Sequence, residues 1–254
     1  MSPESVAAQV DERTAELATN LAALQGRIDA ACRAAGRAPD SVRLLPVTKF
    51  FPVGDVAILH RLGRREFGES REQEATAKVA ALHEHIGDED LSDVRWHMIG
   101  RLQRNKARVV ARWAHTVHSV DSERLATALA TGARAALDAG ERTEPVRVLL
   151  QVSLDEDPSR GGAAPNELGP LAAQVAAAPG LRLSGLMAIP PLGAESDAAF
   201  ARLATLHTLL LAEHPDATEL SAGMSGDLET AIEHGSTVVR VGTALMGARP
   251  ITSA

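Results

Sequence analysis

Among the 26 basic residues of this 254-residue chain only Lys49, Lys78 and Lys106 are lysines, and one of them leaves an apolar run. Leu44-Leu45-Pro46-Val47-Thr48-Lys49 reads as a buried strand stopped by Phe50-Phe51-Pro52. Desolvation at the end of such a strand lowers an amine's pKa and frees it as a nucleophile. The plainer reading is a strand-end lysine whose ammonium snorkels to water. For the strand taken by itself, that reading stands ahead. Lys78 lies in a mixed stretch and Lys106 in a basic one, where a charge is expected to cost nothing.

Two further stretches carry anion-binding chemistry. Ala222-Gly223-Met224-Ser225-Gly226-Asp227 opens a helix, with glycines that let backbone approach a ligand and a serine hydroxyl beside free N–H groups. Gly235-Ser236-Thr237 closes that helix, and Arg240-Val241-Gly242-Thr243 ends the last apolar run. Either half alone reads as helix capping by Ser225 and an ordinary glycine stop. A lysine facing both suits an aldehyde-bearing phosphate cofactor held as a Schiff base. Arg240 sits in an apolar strand where an unpaired guanidinium is costly. Either Glu219 or Glu233 pairs with it, or it faces the nitrogen of a pyridine ring.

Other clusters are weaker. Arg101, Arg104, Lys106, Arg108 and Arg112 read as one basic helix with a solvated face. His97, His115 and His118 lack the spacing of a metal set and read as strand and loop histidines. Ser225 with His207 or His234 is not embedded in a G-x-S-x-G elbow, which argues against a hydrolase. A net charge of −7 and a pI near 5.7 argue against a general nucleic-acid binder. One cysteine, Cys32, gives neither a disulfide framework nor a zinc set. With no signal segment or membrane span in view, the expected location is a reducing cytoplasm.

These residues need elements to position them. Val6, Val10, Leu17, Leu21, Leu24 and Ile28 recur at helical spacing, with Gly26 as the point of any break and Gly36 and Pro39 as the stop. That helix is too short and irregular for a sustained coiled coil and is expected to pack on the domain behind it. From residue 41 onward strand and helix signals alternate. The strands fall at 44–49, 65–68, 94–100, 116–120, 146–152, 181–189, 218–221 and 237–241. The spacing of roughly 25 residues predicts a (β/α)8 TIM barrel over residues 39–254, with residues 1–38 as an N-terminal helical extension. A doubly wound open sheet is the alternative, weakened by the lack of a G-x-G-x-x-G turn after the first strand. Pro46 is a blemish, since proline inside a strand removes a ladder hydrogen bond.

Several motifs in one order carry a family resemblance: Val47-Thr48-Lys49, Phe67-Gly68-Glu69, Trp96-His97-Met98-Ile99-Gly100 with Leu102-Gln103 and Asn105-Lys106, and His118-Ser119-Val120-Asp121-Ser122. Gly223-Met224-Ser225 through Asp227, Gly235-Ser236-Thr237 and Val239-Arg240-Val241-Gly242 complete them. The chain resembles the pyridoxal phosphate homeostasis proteins, which are similar to the barrel half of alanine racemases, over nearly its whole length. The resemblance implies pyridoxal 5′-phosphate (PLP) as cofactor, held as a Schiff base on Lys49. It implies Ser225, Ser236, Thr237, Gly242 and Thr243 around the phosphate, Arg240 at the ring nitrogen and Met224 among the other cofactor-binding residues. Ser70, also in the implied site, replaces a usual asparagine, and Arg71 a common aromatic. Ser153 and Arg160 depart from asparagine and lysine.

The implied role is storage, buffering or delivery of PLP without turnover, by a monomer whose partners are the cofactor and the apo-enzymes that receive it. Neither nucleic acid nor membrane is an expected partner, and no metal is called for. A PLP-dependent racemase or decarboxylase is the alternative. Those enzymes add a β domain, for which residues 248–254 leave little room, and racemases set a tyrosine opposite the lysine. This chain contains no tyrosine.

Overall fold

The computed structural model describes residues 3–86, 91–154, 161–191 and 196–248. Arg160 and residues 249–254 lie outside them.

Eight parallel strands alternate with helices: β1 (Arg43–Pro46), α2 (Val53–Arg61), β2 (Glu66–Glu69), α3 (Glu72–Ile86), β3 (Arg95–Met98), α4 (Ala107–Trp113), β4 (Ala114–Val120) and α5 (Glu123–Asp138). Then follow β5 (Val146–Gln151), α6 (Leu168–Ala177), β6 (Leu181–Met187), α7 (Ser196–Glu213), β7 (Glu219–Ser221), α8 (Leu228–Glu233), β8 (Val238–Val241) and α9 (Thr243–Met246). The strand order is β1-β8-β7-β6-β5-β4-β3-β2. A bridge between Val47 and Gly68 joins the two ends, so the sheet is a nearly closed barrel and the open-sheet alternative is overturned.

Pro46 explains why closure is thin. Arg43 and Val47 turn their N–H groups toward β8, donating to Thr237 and Val241. Thr48 faces the other way and donates to Gly68 at 3.0 Å. By that alternation position 46 faces β2, and proline has no N–H to give. The Leu44 carbonyl on the same edge is taken instead by the Arg64 guanidinium at 2.8 Å.

The apolar core lies outside the barrel, between strands and helices. Leu44, Phe67, Trp96, Val239 and Val241 pack in one cluster, and Val117, Val148, Leu150 and Leu220 in another. Strand residues alternate faces, so the neighbours of these side chains point into the barrel. They include the polar Arg43, Glu66, His97, His118, Arg147, Glu219, Ser221 and Arg240 beside the apolar Leu45, Leu149 and Val238, an interior more polar than the branched-aliphatic layers usual in barrels of this type.

The N-terminal helix, α1 (Pro3–Ala34), runs unbroken through Gly26. Gly26 is exposed, where glycine lowers helix propensity by about 1 kcal/mol without breaking the helix. Leu17, Leu24, Ile28 and Cys32 are buried against the barrel. Three polar side chains of this segment cap carbonyls at the ends of the last two helices. Asn20 donates to Leu245 (2.9 Å), Arg13 to Met246 (2.9 Å) and Arg37 to Ile232 (2.7 Å). Helix ends leave such carbonyls without intrahelical partners; Arg13 and Asn20 thereby tie α1 to the mouth of β8, and Arg37, just after α1, reaches the opposite end of that strand.

Candidate functional site

A cavity of about 520 Å3 opens at the C-terminal ends of the strands, where barrels of this type place their chemistry. Lys49, Ser70, Met224, Ser225, Arg240, Gly242 and Thr243 line it together with Gln151. A wider groove of about 1270 Å3 adjoins it, shares Ser70 and Arg101, and is walled by Arg71, Arg104, Lys106 and Arg124. Size does not decide between the two: the lysine, the buried arginine and the glycine loops converge on the smaller. Arg101 and Arg104 lie on a loop and a short turn before α4, so the expected basic helix begins only at Ala107.

β1 ends at Pro46, which places Lys49 in the following turn rather than on the strand. The Phe51 N–H donates to the Thr48 carbonyl at 3.1 Å and closes the turn. Phe50 holds φ at 70°, a left-handed conformation that costs a residue with a side chain about 1–2 kcal/mol. Such strain persists only where surrounding structure fixes it. Here Lys78 Nζ donates to the Thr48 carbonyl (2.9 Å) and Glu74 Oε1 accepts from the Phe50 N–H (2.6 Å). The two peptide groups flanking Lys49 are thereby clamped from α3.

Lys78 departs from expectation. It is 6 % exposed and paired with Glu69 at 2.6 Å and Glu74 at 3.2 Å. Glu69 also accepts from the Thr48 hydroxyl at 2.6 Å. Burial holds the Glu69 carboxyl above the usual carboxylate range even against the attraction of Lys78. The signal was present in α3, whose buried stripe runs Ala75, Lys78, Leu82, Ile86. A lysine on that stripe must find a partner.

Across the cavity, Gly223 stands at φ 90°, where a Cβ would lie 2.7 Å from Ala231 and 3.1 Å from Leu228, so only glycine fits against α8. Asp227 Oδ1 accepts from the Met224 N–H at 2.6 Å and fixes the loop. Ser225 Oγ accepts from the Ala244 N–H at 3.2 Å, leaving its own proton to donate. Arg27 of α1 donates to the Ser225 carbonyl at 3.1 Å. Ser225, Gly242 and Thr243 thus form one polar corner.

Ser236 and Thr237 are not brought to it. They precede β8 and lie at the opposite end of the barrel, which corrects their expected place around a phosphate. Ser236 is fully buried and its hydroxyl donates to the Ala222 carbonyl at 2.7 Å. Thr237 Oγ1 accepts from the Leu220 N–H at 2.8 Å. Adjacency in the motif conceals that one strand separates its two halves.

Arg240 is 4 % exposed and reaches the cavity wall from β8. It pairs with neither Glu219 nor Glu233: it donates to Ser221 Oγ (2.7 Å) and to the Ala188 carbonyl (2.9 Å). Glu219 is used by Arg43 and Arg147. Burial pushes Arg240 down to about 10, with Asp227 pulling the other way, so the guanidinium is charged at neutral pH. Of the histidines, His234 pairs with Asp197 and His207 meets the Ala217 carbonyl, so neither serves Ser225. No cluster of metal-binding side chains occurs among the described residues. No helix among them is long and apolar enough to cross a membrane.

The cavity fits a phosphorylated aromatic aldehyde: a half-buried amine, a buried cation on the wall and a polar corner for an anion. Comparison with known proteins agrees. The family described as alanine racemase, N-terminal domain, matches residues 19–250. The pyridoxal phosphate homeostasis protein of Mycobacterium tuberculosis is 54 % identical over 248 residues, spanning 95 % of this chain and 96 % of that protein. Its Escherichia coli counterpart is 39 % identical over 237 residues, spanning 92 % and 97 %. The solved structure of PipY from Synechococcus elongatus with PLP bound superposes with a TM-score of 0.76 at 36 % identity, covering 91 % of this chain and 100 % of that one. Alanine racemase from Corynebacterium glutamicum shares the fold, with a TM-score of 0.65 at 17 % identity over 95 % of this chain and 62 % of its own. On the match of residues 19–250 and on relatives of this identity and coverage, the chain belongs to the pyridoxal phosphate homeostasis protein family.

Proposed function

We propose that this protein binds pyridoxal 5′-phosphate in the 520 Å3 cavity and stores or delivers it without turning over amino acids. Bound PLP supplies an aldehyde that condenses with an amine, releasing water. Lys49 is the amine presented to it, held forward by the strained turn. Ser225 with the Gly242–Thr243 backbone receives the phosphate, and Arg240 lies where a ring nitrogen would meet a permanent donor. Naming and structural kinship with PipY support the ligand.

One observation carries the absence of turnover. Among the described residues lining the cavity there is no aspartate, glutamate, histidine, cysteine or tyrosine. Lys49 serves one face of a bound substrate, and no second acid–base group lines the cavity opposite it among the described residues. Loss of such a group costs about 10²–10⁴ in rate.

The test is the absorbance of the purified protein before and after borohydride, with mass mapping of the modified lysine. Label at Lys49 supports the reading, and label at Lys78 or Lys106 overturns the attachment site. Exchange of the α-proton in heavy water is the companion test, across L- and D-alanine, ornithine, lysine and serine. Exchange above that of free cofactor and abolished by Lys49→Ala overturns the non-catalytic role in favour of a racemase.

A further inference from the structure

The polar interior of the barrel contains a chain that the cavity itself does not use. Arg240 Nη1 donates to Ser221 Oγ at 2.7 Å. Ser221 Oγ lies 3.0 Å from His118 Nδ1, and His118 Nε2 lies 2.9 Å from His97 Nδ1. His97 Nε2 then faces Glu66 Oε2 at 3.7 Å. The path runs from β8 and β7 across the barrel to β4, β3 and β2, and Ser221, His118 and His97 are at most 2 % exposed.

Its Arg240 end fixes its direction, and Glu66, beyond hydrogen-bond reach of His97 Nε2, favours the same order through its charge. Arginine is only a donor and a carboxylate only an acceptor. With Ser221 accepting from Arg240, the serine proton goes to His118 Nδ1, which places the His118 proton on Nε2. That proton goes to His97 Nδ1 and leaves the His97 proton on Nε2, aimed at Glu66. The reverse order would leave the Ser221 proton without an acceptor and aim a bare nitrogen lone pair at a carboxylate. Both rings are neutral: burial and the neighbouring arginines push His97 down to about 3, and burial with His97 and Arg240 holds His118 well below its ordinary value. An imidazolium at His118 would donate from both nitrogens and repel Arg240.

We infer that Ser221, His118 and His97 are positioning residues for Arg240, forming a one-way hydrogen-bond chain that sets where its guanidinium meets a phosphorylated pyridine ring in the cavity. The inference rests on the cavity being the PLP site, but its first test does not. In the cofactor-free protein with 15N-labelled histidine, long-range 1H–15N correlation spectra should show His97 and His118 neutral and protonated on Nε2 at about pH 7. An Nδ1–H tautomer at either ring overturns the chain, whatever the protein binds.

The second test is a double-mutant cycle on PLP affinity. Ser221→Ala and His118→Phe should each weaken PLP about tenfold, the effect of misplacing one buried donor. Neither should add to the loss caused by Arg240→Met. Unchanged affinity in Ser221→Ala, or losses that add to Arg240→Met, overturns the positioning role. His97→Gln replaces His118→Phe if the latter does not fold, with the same outcomes. Wild-type protein that binds no PLP, alongside the expected tautomers, sinks the cofactor reading and leaves the chain standing.

Discussion

Lys49 follows β1 and Arg240 lies on β8, neighbouring strands of one barrel, yet the two groups are held by opposite means. Behind Lys49 stands a compact charged cluster, Lys78 with Glu69 and Glu74, whose members touch the turn directly. Behind Arg240 stands a neutral chain, with the charges of Glu66 and Arg43 at its far end. A turn that must hold strained backbone needs strong, short bonds to peptide groups, which ions supply. A guanidinium that must stay available to a ligand is better served by neutral acceptors, since a carboxylate beside it would neutralise the charge the ligand requires.

The comparison can be broken by removing one member from each assembly. Glu69→Ala should have the largest effect, because it leaves the Lys78 ammonium buried without its closest partner. Breaking a buried pair in this way costs about 3–5 kcal/mol, read by urea unfolding. A loss under about 1 kcal/mol would show that the cluster does not hold the fold.

Next, Ser225→Ala should weaken PLP by about 1.5–3 kcal/mol, a charge-assisted bond to phosphate, and leave unphosphorylated pyridoxal nearly unaffected. Equal weakening of both ligands would place the phosphate elsewhere.

Lys78→Met sharpens the contrast through pH. The folded-state pKa of Glu69 is already raised, so the folded protein takes up a proton more readily than the unfolded chain. Stability from that group is present at low pH and is lost as pH rises through the raised pKa. Removing Lys78 raises it further, so the cost of Lys78→Met should be larger at about pH 8 than at about pH 5. A pH-independent cost would mean that Glu69 does not titrate in the variant.

The smallest effect is expected at Phe50. Asparagine tolerates the left-handed conformation, so Phe50→Asn should relieve strain while losing ring packing against Arg71, 4.7 Å away. The net change should stay within about 1 kcal/mol. A loss several times larger would assign the clamp to the ring rather than to Lys78.

The same two assemblies show what sequence can carry. The outer layer was legible because Leu44, Phe67, Trp96 and Val239 lie on apolar runs of strand length, and the eight strands follow from them. Lys49, Ser225, Arg240 and Gly242 were legible as residue types out of place in apolar or glycine-rich surroundings. The clamp was misread because charge counted along residues 71–81 says nothing about which helix face Lys78 occupies. Ser236 and Thr237 were misread because a motif does not reveal which end of a strand it lies on. The histidine chain was invisible for a deeper reason: His118 meets Ser221 at a separation of 103 residues, and only closure of the barrel brings them together. The short helix α9 (Thr243–Met246) also escaped notice, since four residues show no period.

Pro46 has a consequence for motion. With no N–H on the edge facing β2, β1 is bonded as a ladder to β8 alone and touches β2 through the bridge just before the Lys49 turn. Local opening there breaks few backbone ladder bonds, whereas opening at β5, flanked by ladders on both sides, breaks many. Amide hydrogen exchange should register this as a gradient across a single strand. The Thr48 N–H, bonded over the seam to Gly68, should exchange well ahead of the Val47 N–H, bonded to Val241. The lysine thus stands beside an edge of the barrel that side chains, Thr48 to Glu69 and Arg43 to Glu66, hold together more than the backbone does.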